Sequence, residues 1–231
     1  MLGMQRFGVA IVLAWSLLPL RCFADTWTEV GNAGQLVTTG QVTTGNPFNS
    51  LDTIIGSFSG ANDIDLFLIY VSDPVAFSAS ASSLQNSQLF LFTNTGLGVI
   101  TNDDRTLIDN NALIPDASGR PGLGPTTTGN YWLGISEFNH SPLSTGNKEI
   151  FAPGSGVGLR GPTGPGGANP LTAWANISAT GAAGGYTITL TGAKFATPEP
   201  TALVLYGIGA LIAFRAFQRR KAARGFLKNL H

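Results

Sequence analysis

The densest chemistry in the chain lies in two acidic turns. Asp63 and Asp65 stand two apart, and Asp103 and Asp104 follow Asn102. Calcium takes roughly six to eight oxygens from carboxylates, amide side chains and backbone carbonyls. Turn-borne Asp and Asn supply such oxygens, so calcium is the one candidate cofactor. The same residues also cap turns by accepting backbone N–H groups, and both readings stand. The D-x-D-x-D-G loop of an EF-hand is absent. A carboxylate pair such as Asp63 and Asp104, approaching across a sandwich, would also equip a glycoside hydrolase. Histidine is scarce. His140 falls in Phe138-Asn139-His140-Ser141-Pro142, read as a solvated loop, and His231 is in the terminal tail. No G-x-S-x-G or H-E-x-x-H occurs. No catalytic residue is assigned, and an enzyme is not expected.

Composition bounds what must position these groups. A chain of 231 residues accommodates one domain flanked by targeting segments. Only 11% of residues are charged and 30 are glycine, which fits strands joined by turns. The formal net charge of zero hides an asymmetry. Positions 25–196 hold 12 acidic and 5 basic residues, whereas 215–228 hold six basic residues and no acid. An acidic body lacks the Lys and Arg that neutralise phosphates, which argues against a nucleic-acid partner. A basic tail beside an apolar run points to a membrane. The single cysteine, Cys22, falls in a segment expected to be removed. A disulfide framework, a thiolate nucleophile and a Cys-ligated zinc are thereby excluded.

Both ends read as addresses. Arg6 precedes the apolar run 7–18, Pro19 breaks it, and Cys22-Phe23-Ala24 offers small residues before Asp25. This is the pattern of a secretory signal peptide over residues 1–24, which implies signal peptidase and the general secretion machinery as partners. Pro19-Leu20-Arg21 lacks the small residues of a lipobox, so Cys22 is not read as a lipid anchor. At the other end, Thr197-Pro198-Glu199-Pro200-Thr201 makes a stiff extended segment, because its prolines cannot sit in a helix interior. A transmembrane helix is expected over about 201–217. From Ala202 through Phe217 it spans roughly 24 Å at 1.5 Å per residue, short of a hydrocarbon core of ~30 Å. Snorkelling Arg and Lys can make up the difference. Positive charge behind the helix stays cytoplasmic, which places residues 25–197 on the far side.

This tail resembles the PEP-CTERM sorting signal of Gram-negative bacteria that make exopolysaccharide. The matching residues are Pro198, Glu199 and Pro200, the apolar run 202–214, and the basic cluster Arg215, Arg219, Arg220 and Lys221. The resemblance covers about 30 residues, 197–231 being the sorting region. It implies exosortase, a membrane protease or transpeptidase, as a partner. It also implies an inner-membrane intermediate followed by the cell surface or extracellular matrix.

Between the ends, several runs are rich in β-branched and aromatic residues. They cover 52–59, 65–71, 75–82, 88–92, 130–136 and 186–190. In VAFSASAS, Val75, Phe77, Ala79 and Ala81 share a face; Tyr186, Ile188 and Leu190 share another. Turn formers lie between, as in Gly60-Ala61-Asn62-Asp63, Asp73-Pro74 and Asn94-Thr95-Gly96. The reading is an all-β, antiparallel β-sandwich over 25–196. Its Gly/Pro-rich stretch at about 152–170 is expected to be a long surface loop. Gly158, Gly161, Gly164 and Gly167 repeat every three residues, too briefly for a collagen helix. Asn176-Ile177-Ser178 has the form of a glycosylation sequon that the inferred bacterial context leaves unused.

From residue 51 to about 136 the body resembles the bacterial pre-peptidase C-terminal domain. The features are Asn62-Asp63-Ile64-Asp65 before the Phe67, Ile69, Val71 strand; Leu89-Phe90-Leu91-Phe92 before Thr95-Gly96; Asn102-Asp103-Asp104; and Gly129-Asn130-Tyr131-Trp132-Leu133. Trp174 and the 186–192 strand resemble the closing strand common before PEP signals. The resemblance implies a jelly-roll-like sandwich and an accessory role in binding glycans or proteins. The expectation is thus a non-enzymatic surface or exopolysaccharide-matrix protein. The alternative is a polysaccharide-active hydrolase of the matrix.

Overall fold

Runs rich in Ile, Leu, Phe and Val become strands, and the Gly, Asn and Asp between them become turns. This holds across residues 24–154, 157–176 and 182–196, which the structure, a computed structural model, describes. In chain order the strands are β1 (Ala24–Thr28), β2 (Gln41–Val42), β3 (Ser50–Phe58), β4 (Ile64–Val71), β5 (Ser78–Ser83), β6 (Ser87–Thr93) and β7 (Gly98–Asn102). They continue as β8 (Leu113–Ile114), β9 (Gly129–Glu137), β10 (His140–Ser144), β11 (Lys148–Glu149), β12 (Ala173–Asn176), β13 (Gly184–Thr191) and β14 (Ala193–Phe195). Among the described residues there is no helix, and so none long and apolar enough to cross a membrane. Residues 1–23, the Pro198-Glu199-Pro200 segment, the apolar run and the cluster Arg215, Arg219, Arg220 and Lys221 lie outside the described residues.

The strands form a nearly closed, barrel-like sandwich. One layer is β7-β6-β9-β4, with β2 beside β4; the other is β1-β3-β13-β5-β8. Strand β14 joins them, because the chain pairs with β3 and β5 before Gly192 and with β4 and β3 after it. The corner requires glycine. Gly192 has φ +66°, and a Cβ there would lie 2.7 Å from the Asp73 carbonyl oxygen. Across the opposite seam, Asn102 Oδ1 accepts the Leu113 N–H at 2.9 Å, holding β7 to β8. Buried Arg120 fixes the 115–124 segment by donating to the carbonyls of Pro74 (2.6 Å), Leu123 (2.7 Å) and Pro115 (2.8 Å).

The two layers enclose Ile54, Phe58, Phe67, Ile69, Leu89, Leu133, Ile188 and Leu190. A second apolar cluster lies on the outer face of β4, β6 and β9. There Leu66, Phe90, Phe92 and Trp132 meet Ile150, Phe151 and Leu171. Burial on both faces explains why β4, β6 and β9 read as continuous apolar runs rather than alternating ones. The cover residues Ile150, Phe151 and Leu171 flank the Gly/Pro-rich stretch expected as a surface loop. The described parts of 152–170 form no named strand and are mostly exposed or half-buried, and backbone hydrogen bonds tie Arg160 to Thr101, Gly164 to Ile150 and Gly166 to Glu149. Glycine permits this packing: a Cβ on Gly167 would collide with the Pro162 carbonyl oxygen. The structure differs from the sequence reading at Val75, which is exposed in a turn, so the alternation that begins at Phe77 enters the strand only at Ser78. Asp73 Oδ1 caps that turn by accepting the N–H groups of Val75 and Ala76.

The described body begins at one pole, and its last strand passes the same pole before running back along β4 to Ala196, beside Thr43 and Leu68. Ala24 of β1 and Lys194 of β14 pair with Ser50 from its two sides, about 10 Å apart at two strand spacings. From Ser50, β3 runs about 26 Å to Phe58 at the other pole, at ~3.3 Å per residue. That distal pole carries the turns 59–63, 84–86, 103–112 and 138–139.

Candidate functional site

Strand β9 ends at Glu137, and a two-residue turn follows. Asn139 adopts φ +76°, a left-handed conformation that Asn tolerates better than most residues. The Phe138 N–H bonds the Asn86 carbonyl at 2.8 Å. The turn redirects the chain, and His140 opens β10, which pairs with β12 instead of the main sheet. Gln88 of β6 sets this corner: its Oε1 accepts the His140 N–H at 3.1 Å, and its side chain also bonds the Asp103 carboxylate. From the other side, Thr101 and Arg160 exchange two backbone hydrogen bonds of 2.9 Å, which seat the 157–160 segment.

Between these parts lies a cleft of about 210 Å³. Its polar lining includes Gln88, Asp103, Asn139, His140, Glu149 and Arg160, and Phe138 and Phe151 add apolar surface. Asp103 is pushed up to about 7, first by burial and then by the neighbouring Asp104 charge; Arg160 and the Gln88 hydrogen bond oppose the shift. Asp103 Oδ1, His140 Nε2 and Arg160 Nε are buried without a hydrogen-bond partner. The other ring nitrogen of His140 sits 2.9 Å from the Glu137 carbonyl oxygen. The reading of His140 as solvated is corrected: it is 3% exposed, because the turn draws it under the sheet edge.

The structure parts the acids singled out in the sequence. Asp65 points between the two layers, where Tyr186 donates its hydroxyl to Oδ2 at 2.7 Å while Oδ1 has no partner. Burial, aided by the Glu29 and Asp63 charges, pushes Asp65 up to about 8 against the Tyr186 hydrogen bond. Burial and the Asp65 charge likewise push the Tyr186 hydroxyl up. Asp63 caps its turn: Oδ2 accepts the Ser59 N–H, and Oδ1 accepts from Asn32 at 3.1 Å. Asp104 is partly buried, and its pKa is raised first by burial and then by Asp109.

Register shows how far apart the pairs lie. Asp65, Ile135, Leu89 and Asn102 form one cross-strand row, so Asp65 and Asn102 are about 14 Å apart at three strand spacings. Asp103 is one residue further on and faces the other side of the sheet. The sheet therefore stands between Asp65 and Asp103, and the two do not reach one ion. Among the described residues no group of three or more His, Cys, Asp or Glu side chains is placed to hold a metal.

The cleft residues missed in the sequence are Gln88, His140, Glu149 and Arg160. They are spread over 73 positions and meet only because β10 departs from the sheet and the 149–160 segment folds back. Asp103 alone was marked beforehand, by its acidic turn. No protein-family model matches the chain, and no curated protein matches it as a relative.

Proposed function

We propose that the protein is an exported, non-enzymatic component of the cell surface or exopolysaccharide matrix of a Gram-negative bacterium. In this reading signal peptidase releases the segment before Asp25, and exosortase acts at Pro198-Glu199-Pro200 while the 201–217 helix rests in the inner membrane. The body is a jelly-roll-like sandwich that serves as a glycan- or protein-interaction module. The observation that supports the reading is polar placement: β1 begins and β14 passes beside Ser50 at one pole, and the cleft lies towards the other, about 26 Å along β3. A body tethered at its proximal pole presents that cleft away from the bilayer.

The test replaces Pro198, Glu199 and Pro200 together by Ala in the native host. Export is expected to continue, and the protein is expected to accumulate uncleaved in the inner membrane. An unchanged mature mass and location would reduce the tail to a plain anchor. A hydrolase is the second reading, favoured because Asp103 and Glu149 line one cleft and Asp103 sits near 7. Release of reducing ends from the host polysaccharide, lost in Asp103→Asn, would establish it.

A further inference from the structure

The cleft at the distal pole shows a consistent pattern of unmet hydrogen bonding. Asp103 is 2% exposed and His140 3% exposed; both line the cavity, and each carries a buried atom without a partner. A carbonyl oxygen can only accept. The Glu137 carbonyl therefore accepts a hydrogen bond from His140 Nδ1, and Nε2 is the ring nitrogen left without a partner. Arg160 brings donors to the same wall, and among the described residues it has no carboxylate within ion-pair reach. Dry, unpaired atoms of this kind are destabilising, so a group that satisfies all three would be favoured there.

The ligand must meet an acceptor at Asp103, a ring nitrogen at His140 and a donor at Arg160. Hydroxyls both donate and accept. A cation would face Arg160, and an anion would face Asp103 and Glu149 within an acidic body. The cleft, at about 210 Å³, is smaller than the ~300 Å³ at which drug-sized sites begin. Phe138, 45% exposed, adds an apolar face at its edge. We propose that this cleft binds one neutral pyranose residue of a polysaccharide. Its hydroxyls donate to Asp103 Oδ1, bond His140 Nε2 and accept from Arg160, and the C–H face of the ring lies on Phe138. The proposal rests on reading the body as an interaction module and names what it takes.

The experiment uses the full chain in a sugar-free detergent with its histidines isotopically labelled. His140 and His231 are its two histidines, so the ring spectrum has one reporter in the cleft and one outside. Methyl pyranosides of glucose, galactose and mannose are titrated, with acetate and methylammonium as charged controls. At least one pyranoside is expected to shift the His140 signals saturably and leave those of His231 in place. Asp103→Asn, nearly isosteric, is expected to weaken that binding about tenfold or more, whereas Asp104→Asn leaves it unchanged. Absence of saturable shifts with every pyranoside, equal response to the charged controls, or full binding by Asp103→Asn would overturn the proposal. Loss of sugar binding with normal export and sorting would leave the export reading standing. Cleavage of a chromogenic glycoside would overturn the non-enzymatic part of that reading instead.

Discussion

Asp65 is the residue whose chemistry most affects the body itself. It lies in the apolar interior with one oxygen bonded to Tyr186 and the other without a partner. Folding raises its pKa from 3.8 to about 8, chiefly by burial. The folded state thus favours the protonated carboxyl. This contribution is complete below about pH 4, is lost as pH rises towards about 8, and then levels off. Asp103, raised to about 7, adds a fall of the same sign over a narrower window. The thermal midpoint is therefore expected to drop between about pH 4 and pH 8, and Asp65→Asn, which cannot ionise, is expected to flatten most of that slope. Each pKa unit corresponds to about 1.4 kcal/mol, so the change is well within the reach of a thermal melt. A wild-type midpoint that holds steady or rises over this range would show that Asp65 is ionised and solvated in the fold.

At the scale of elements, the corner at Gly192 decides whether two layers become one closed body. An Ala there must take φ +66° and press its Cβ against the Asp73 carbonyl and the Phe77 backbone. A left-handed alanine alone costs roughly 1–2 kcal/mol, and the backbone collision adds to it. Gly192→Ala is expected to lower stability by about 2 kcal/mol or more in a denaturant melt. Arg120→Ala is expected to cost about 3 kcal/mol or more, because it strands carbonyls now bonded to a charged donor. A loss below ~0.5 kcal/mol in either variant, the range of ordinary surface changes, would remove that residue from the account.

These elements also show what the sequence could reveal. Strands β3, β4, β6, β9 and β13 were legible, because each is a run of large apolar residues between turn formers. The short strands β2, β8, β11 and β14 were not, since two or three residues carry no period. The packed cover over β6 and β9 was hidden for a different reason. Ile150, Phe151 and Leu171 stand at the edges of a Gly/Pro-rich loop and show no strand period. The cleft was legible only at Asp103, for His140 takes its meaning from a change of strand direction that depends on long-range packing.

For the whole molecule, the two poles give a geometric prediction. The body between 25 and 196 has no cysteine, so a single introduced cysteine is a unique label. Phe48 lies near the proximal pole and Leu107 near the distal one, and both are exposed. In the membrane-trapped Pro198/Glu199/Pro200 variant, a dye on Leu107→Cys should lie about 20 Å or more farther from a lipid-bound acceptor than a dye on Phe48→Cys. Equal energy transfer from the two sites would mean that the body lies flat on the bilayer.

The joining strand β14 also sets an order of events. Secretion of the kind proposed threads a chain outward from its N-terminus, so residues 193–195 are the last part of the barrel to arrive. Until they do, β3 and β4 lack the strand that links them, and the two layers share no continuous edge at that corner. Once they do, the Ala196 N–H is taken by the Thr43 carbonyl at 3.1 Å, one residue before the Thr197-Pro198-Glu199-Pro200 segment begins. The completed fold therefore holds the chain directly in front of the proposed processing site, whereas an incomplete one leaves that stretch on a loose tether. If processing occurs as proposed, an enzyme that senses how the segment is held would be inspecting the barrel at the moment it cuts.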